Sequence, residues 1–397
     1  MKIVILAQYF EEPDQPGLPL LSSMAEQFAM SGHEVTVIAG RYIRMGRQKA
    51  PRFRQMPSGY SIRRTWSGSD EGADLLSRLL SFFAFSLSSM FTLVWMGKVD
   101  LIYASSPPIF PTFPALLWAR LTGAKFVLEI CDLWPESAIA LGLIRNKRFI
   151  AWTAAMEAFL YRHSDGLVGL TQGISRWIQE RYEVKAPITV ARCAVSPISP
   201  SQAIGNRAVI RREREWDGKC VAIFAGTIGH AQDIETLLEA AAQLIDQSKL
   251  LIVVMGDGAY RDRVNARARE LNNLQFVEPI SRAETMNMLA ASDIGLCTLK
   301  SDPLFDGAVP TKLIDYLGAG LPVVAPDLKE IAAVVKAMNA GILYQAGDAQ
   351  SLAGALRALV GNCSAVIPRP LLPEEFKIEN RNRLIERFVE GVVSEAV

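Results

Sequence analysis

Histidine is scarce, with three copies in 397 residues, and the five cysteines (Cys131, Cys193, Cys220, Cys297, Cys363) include no Cys-x-x-Cys pair. That scarcity excludes a sequence-evident zinc module and a disulfide framework, and a reducing cytoplasm fits such usage. Net charge is also lacking: +1 overall gives no global pull toward nucleic acid. The opening MKIVILAQYF carries too short an apolar run for a signal-peptide core and runs straight into acids, so it reads as a first strand. No internal repeat or low-complexity tract stands out. What is present is apolar: half the residues are hydrophobic, 21% are charged and mean hydropathy is +0.17. Such a chain builds a large core, and its length implies two domains.

Apolar strands alternate with helical stretches throughout. Strands are expected at 2–7, 34–39, 60–65, 100–104, 125–130 and 166–170, and the rhythm restarts with 220–225, 249–255, 274–277, 293–297, 322–325 and 341–344. Helices are expected to begin near Gln232, Tyr260, Arg282, Thr311 and Leu328. This is the signature of parallel sheets covered on both faces, whose ligands sit at the carboxyl ends of the strands. Residues 193–212 hold two prolines and no regular apolar pattern, and read as the linker. The expected domains are residues 1–195 and 205–370, with a C-terminal helix in 371–397 packing back on the first.

The richest stretch is Val309–Pro326. Pro310-Thr311-Lys312 reads as a helix start, Leu313, Ile314 and Leu317 repeat at helical spacing, and Gly318 and Gly320 end the helix before an apolar strand. Free N–H groups beside Lys312, with Asp315 one turn in, suit an anion, and a nucleotide diphosphate above others. Gly226-Thr227-Ile228-Gly229-His230 and Gly256-Asp257-Gly258 form two further strand-to-helix loops. Each reads equally as a tight turn or as backbone brought close to a phosphate, sugar or base. Asp315 reads as a ribose acceptor or as a solvated helix-face acid.

With Ala7-Gln8-Tyr9-Phe10, Gly32–Val37, Tyr103–Pro108 and above all Asp132-Leu133-Trp134-Pro135-Glu136-Ser137, these loops resemble retaining GT-B glycosyltransferases of family 4. Within that family the likeness is to enzymes transferring amino-deoxy sugars such as fucosamine or quinovosamine in O-antigen, capsule or exopolysaccharide assembly. The resemblance implies an α/β GT-B fold: two doubly wound Rossmann-like domains facing across a cleft. It implies a hexosyltransferase-type enzyme with no metal and no cofactor, whose nucleotide-sugar donor, UDP-linked, is a substrate. The donor-binding set is then Gly226, Thr227, Gly229, His230, Gly256, Asp257, Gly258, Pro310, Thr311, Lys312, Leu313 and Asp315. Lys312 would stabilise the departing diphosphate. Asp132 is the candidate to orient or deprotonate the acceptor hydroxyl, with Glu136 beside it and Glu129, Trp134 and Gly17 lining the acceptor cleft. The competing reading makes Asp132 an N-cap and Trp134 core packing.

The chain departs from the family pattern. Thr227 and Gln232 stand where an arginine and a lysine are common, Gly307 and Asp315 replace a pair of glutamates, and Arg192-Cys193-Ala194 replaces the usual hinge. Lys312 is thereby left as the one evident cation for the diphosphate.

Arg41, Arg44, Arg47, Lys49, Arg52, Arg54, Arg63 and Arg64 lie in a stretch without an acid, and residues 79–96, LLSFFAFSLSSMFTLVWM, carry no charge. Basic residues beside an apolar helix fit docking on an anionic inner leaflet, with Arg47, Lys49, Arg52, Arg54, Phe82, Phe83 and Phe85 as contacts. The alternative is a buried sheet-covering helix and a solvated loop. The expected function is transfer of a sugar, an N-acetylated amino-deoxy sugar on this resemblance, to a polyprenyl-diphosphate-linked saccharide at the cytoplasmic membrane face, without nucleic acid. The alternatives are a catalytically degenerate nucleotide-sugar-binding or scaffold protein, and a GT-B-fold nucleotide-sugar 2-epimerase, which would want more acids and histidines than are here.

Overall fold

The computed structural model describes residues 1–13, 15, 19–42, 49–68, 75–142, 144–196, 200–361 and 372–394. Gly17, Arg44, Arg47 and Cys363 lie outside them. Two compact units emerge: Met1–Pro13 with Pro19–Cys193 and Ile378–Val397, and Ala194–Lys377.

The first unit contains β1 (Lys2–Ala7), α1 (Leu20–Met30), β2 (Glu34–Gly40), β3 (Phe53–Gln55), β4 (Ser61–Thr65), α2 (Leu75–Met96), β5 (Leu101–Ser106), α3 (Thr112–Thr122) and β6 (Lys125–Ile130). It continues with α4 (Glu136–Ala140), α5 (Lys147–His163), β7 (Gly166–Gly169), α6 (Gln172–Arg181) and β8 (Ile188–Val190). The sheet order is β3-β4-β2-β1-β5-β6-β7-β8, parallel except where β3 pairs antiparallel with β4. Strands β1, β5 and β6 are nearly continuous apolar runs because both faces are covered. Ile3 and Ile5 pack with Met24 and Phe28 of α1, while Val4 and Leu6 are equally buried on the other face. Helices α2, α3 and α5 pack together in that second layer.

The second unit runs α7 (Pro200–Glu213), β9 (Cys220–Ala225), α8 (Ile234–Gln243), β10 (Leu250–Met255), α9 (Arg261–Glu270), β11 (Leu274–Val277), α10 (Arg282–Ala291), β12 (Ile294–Leu296) and α11 (Thr311–Gly318). Then come β13 (Val323–Pro326), α12 (Lys329–Ala337), β14 (Gly341–Tyr344) and α13 (Ala349–Val360). Its sheet, β11-β10-β9-β12-β13-β14, is parallel throughout. The order reverses between β9 and β12, the switch point where doubly wound sheets bind ligands.

Three expectations need correction. The stretch read as an irregular linker contains α7, which the apolar pattern could not reveal because arginines hold it. Arg207 and Arg211 both pair with Asp293 and donate to carbonyls at the end of α10, Arg207 to Ala290 and Ser292 and Arg211 to Ala291. Strands β3 and β8 were also unforeseen, being three residues each and without a buried residue. Finally, Cys220 is disulfide-bonded in a chain read as reduced, whereas Cys131 and Cys297 are free.

The last helix, α14 (Ile378–Ser394), returns to the first unit and packs on α1, β6 and β7. Its Arg381 forms an ion pair with Glu129 of β6, both side chains at most 1% exposed. Burial pushes the Glu129 carboxyl pKa up, against the pull of Arg381 and the hydrogen bonds it accepts. Glu129 is therefore structural, which corrects its assignment as a cleft residue: the pair closes inward under α14. Removing one partner strands a buried charge, so Arg381→Ala is expected to cost about 3–5 kcal/mol in urea unfolding. The double change Glu129→Leu with Arg381→Leu is expected to unfold closer to wild type than either single change.

Candidate functional site

At the switch point, strands β9 and β12 pair through Ala222 and Ile223, then part. The hydroxyl of Tyr316, on α11, fills the opening: it accepts from the Ala225 N–H at 2.9 Å and donates to the Leu296 carbonyl at 3.0 Å. Gly295 makes room, since a Cβ there would stand 2.4 Å from the Tyr316 ring. This wedge seats α11 against both strand ends.

Lys312 lies one turn earlier on α11 and is 5% exposed. Its ammonium sits 3.5 Å above the Phe224 ring centroid and donates to the Gln232 side-chain carbonyl. An ammonium has three hydrogens, so one donor remains for an anion. Burial lowers its pKa from 10.5 to about 7, with the neighbouring Cys297 acting in the opposite sense. Gln232 itself is held in place, because Thr298 donates to its carbonyl and the Lys300 N–H donates to Ala231. Gln232 thus orients the Lys312 ammonium. Helix α11 follows Pro310 in the N-cap place without a side-chain cap and Thr311 is exposed, so the Thr311 and Lys312 N–H groups have no partner within the helix, while the Leu313 N–H donates to the Pro310 carbonyl. Leu313 is fully buried and contributes packing, which corrects its place among the ligand-binding side chains.

The two glycine loops differ in purpose. Gly226 lies against Lys312, where a Cβ would touch Lys312 Cε at 3.5 Å. Gly256 and Gly258 have φ of +148° and +149°, and a Cβ on either would strike the backbone of Gly226 or Ile228. The loops are joined by hydrogen bonds from Ile228 to Asp257 and from Tyr260 to Ile228. Gly256-Asp257-Gly258 therefore buttresses the Gly226 loop, and Asp257 Oδ1 accepts from the Gly258 N–H at 2.8 Å. Thr227 and His230 are exposed and Gly229 is half-buried; His230 lies edge-on to Tyr260.

Asp315 is neither a free acid nor a solvated one. Both its oxygens are engaged by Arg282, Nη1 to Oδ2 at 2.8 Å and Nη2 to Oδ1, with both side chains 14% exposed. A carboxylate gripped on one edge keeps lone pairs on the other, so hydroxyls remain acceptable partners. Sequence reasoning missed Arg282. Its signal was the Ser281-x-x-Glu284 capping box, which starts α10 just beyond β11 at the same edge of the sheet.

In the first unit, Asp132 follows the end of β6 and α4 starts only at Glu136, with Pro135 in the N-cap place, so Asp132 is not the cap of a longer helix. Asp132 is reachable by solvent, yet protein atoms crowd its carboxyl, and desolvation raises its pKa against hydrogen bonds from Ser137 and the Leu133 N–H. Glu136 is raised for the same first reason, and its Oε2 is buried without a partner. Behind it Glu157, bonded to Tyr161 and Tyr182, is pushed up to about 8 by burial and then by Glu136. Trp134 packs edge-on against Phe110, 5.4 Å between centroids, so it joins an aromatic cluster with Phe83 and Trp152.

That cluster borders an unusual surface. Ser81 and Ser89 of α2 are buried, whereas Leu76, Leu80, Leu87 and Phe91 are at least 60% exposed. Phe113, Leu117 and Leu121 of α3 and Trp152 of α5 extend the apolar face. A recess of about 410 Å³ at the end of α2 is lined by Arg63, Phe91, Thr92, Trp95 and Met96. Helix α2 is long and apolar enough to cross a membrane, but a third of its apolar window is buried and Ser81 bonds Gln8 and Gly68. Phe83 is exposed and Phe82 half-buried, but Phe85 is wholly buried and drops from the contact set because it faces the core. Lys49 and Arg52 are exposed, while Arg54 and the buried Arg64 both pair with Glu12.

Two family models match: a glycosyl transferase 4-like domain over residues 20–194 and glycosyl transferases group 1 over residues 219–362. WbjE of Pseudomonas aeruginosa, a protein named as a glycosyltransferase, is 28% identical over 289 residues, 70% of each chain. WcaI of Escherichia coli K12, named as a colanic acid biosynthesis glycosyl transferase, is 27% identical over 338 residues, 81% of this chain and 82% of its own. The solved structure of Anabaena HepE in complex with UDP-glucose matches with a TM-score of 0.68 at 15% identity, covering 98% of this chain and all of that one. The fold is GT-B and the chain is a glycosyltransferase. More particularly, it joins a glycosyl transferase 4-like domain to a glycosyl transferases group 1 domain.

Burial of Lys312 predicts a distinctive pH dependence. The unfolded chain holds the Lys312 proton up to 10.5 and the folded chain only to about 7. Between these values the unfolded state binds more protons, so stability rises with pH, and below about pH 7 the penalty is constant and full. Lys312→Met is expected to be more stable than wild type at pH 7, with the gap narrowing toward pH 10, as read by urea midpoints.

Proposed function

We propose that the chain is a retaining transferase that takes a sugar from a UDP-linked donor, held by the second unit. The acceptor is a polyprenyl-diphosphate-linked saccharide at the cytoplasmic face of a membrane. The observation that carries this reading is Lys312: a nearly buried ammonium with one donor unspent, beside an uncapped helix start at the switch point of a parallel sheet. A diphosphate completes that site, because it restores the lysine's charge and meets the N–H groups at the helix start. Gly226 lets the phosphate approach backbone, and Asp315, oriented by Arg282, accepts from ribose hydroxyls. HepE holds UDP-glucose on the same fold, and WcaI is named for colanic acid biosynthesis. The DLWPES motif supports an N-acetylated amino-deoxy sugar as the transferred group.

Asp132, reachable by solvent at the end of β6 and with its carboxyl pKa raised, takes or orients the proton of the attacking hydroxyl. As the donor's bond to the sugar breaks, negative charge moves onto the diphosphate, and Lys312 and the α11 N–H groups are already in place to receive it. The outward apolar face of α2 and α3, with Lys49 and Arg52 exposed on the same unit, supports docking on an anionic leaflet where such an acceptor resides.

UDP release from UDP-sugars, measured with acceptor-bearing vesicles, is expected to fall about 100-fold in kcat/KM in Lys312→Ala. An unchanged rate would remove the diphosphate role. UDP binding above pH 7 is expected to take up a proton, seen by calorimetry in buffers of differing ionisation enthalpy, and to weaken as pH rises. For docking, flotation with anionic liposomes is expected to fall in Leu80→Glu with Leu87→Glu and, to a smaller extent, in Lys49→Gln with Arg52→Gln. Flotation unaltered by the first pair would dismiss the surface.

A further inference from the structure

Where α1 turns into β2, His33 meets two acids of α14, Glu386 and Glu390. One ring nitrogen and one oxygen of each glutamate lie within 4.8 Å of one another. Two polar atoms of these side chains are stranded: His33 Nε2 and Glu386 Oε1 are both buried without a hydrogen-bond partner. Buried polar atoms normally have a partner in protein, water or ion.

The surroundings hold these groups in place. Gln27 Nε2 donates to the other oxygen of Glu386 at 2.9 Å, fixing that carboxylate. The His33 ring leans on Phe28, 6.2 Å between centroids, and its Nδ1 lies 3.4 Å from the Met1 nitrogen, so Nε2 is the atom left for a ligand. Partners of this kind, behind the ligating atoms, orient metal ligands. Glu386 and Glu390 stand one turn apart on the same helix face.

We infer that His33, Glu386 and Glu390 bind one divalent transition-metal ion, zinc by chemistry, which pins α14 to the turn between α1 and β2. An imidazole with two carboxylates suits zinc, whereas magnesium and calcium take all-oxygen sets. Ligand atoms around tetrahedral zinc stand about 3.4 Å apart, so the cluster closes by roughly an ångström. Glu390 is exposed and free to swing, and water takes the fourth position. All three residues belong to the first unit and none is part of the Lys312 pocket, so the ion is separable from donor binding.

The full chain, stripped with EDTA and dialysed, would be titrated with zinc chloride by calorimetry, with thermal shift in parallel. One equivalent is expected, with a rise in Tm. Binding is expected to weaken at least tenfold in Glu390→Gln and in His33→Gln. Glu379→Gln, at an exposed acid of the same helix outside the cluster, is expected to match wild type. Absence of stoichiometric binding, binding undiminished in Glu390→Gln, or magnesium bound as tightly as zinc would each overturn the inference. Should His33→Gln lose its far-ultraviolet circular dichroism signal, Glu390→Gln, an exposed change, decides alone.

Discussion

The second unit depends on one hydroxyl. Where β9 and β12 separate, an Ala225 N–H and a Leu296 carbonyl lose their ladder partners in a dry interior, and Tyr316 supplies both. Leaving either unpaired would carry the desolvation cost of a buried polar group. Because Tyr316 sits on α11, satisfying the strands also fixes that helix, and with it the height of Lys312 and the direction of the first free N–H groups. The close fit of Gly295 against the Tyr316 ring follows from the same contact.

A second constraint is electrostatic. Lys312 is packed between Phe224 and Gln232 in surroundings dry enough to bring its pKa to about 7. Such burial of a charge costs stability, and a negative charge placed beside it would offset the cost. The first unit uses buried charge differently. Glu129 and Arg381 are sealed together, so their pairing holds α14 on the sheet away from solvent. The two sites contrast in their partners: Lys312 meets a neutral amide, and Arg381 meets an opposite charge.

Much of this was legible in the chain. The parallel strands are continuous apolar runs, because both faces of such sheets are buried, and β1, β6, β9, β11 and β14 fall where the pattern places them. The start of α11 was legible from Pro310 and Thr311. Elements held by polar contacts were not. Helix α7 is secured by Arg207 and Arg211 on Asp293, so it shows no apolar stripe. Helix α2 misleads in a related way: its serines face the fold and its leucines face out, so composition alone cannot say which side is buried. The same holds for residues judged singly. Asp315 reads as a lone acid until Arg282, 33 positions away, is brought onto it. Gly256 and Gly258 read equally as a tight turn or as ligand-facing until the Gly226 loop is seen to occupy the space a Cβ would need.

The sequence by itself determined the parallel α/β class, the helix start at Pro310-Thr311-Lys312 and the family resemblance, because these rest on local periodicity and contiguous motifs. Only the tertiary structure decided which charges remain available. Pairing of Asp315 with Arg282, Glu129 with Arg381, Arg54 and Arg64 with Glu12, and the desolvation of Lys312 all join residues far apart in the chain. A charge's worth depends on the atoms around it, and a linear sequence does not specify those atoms.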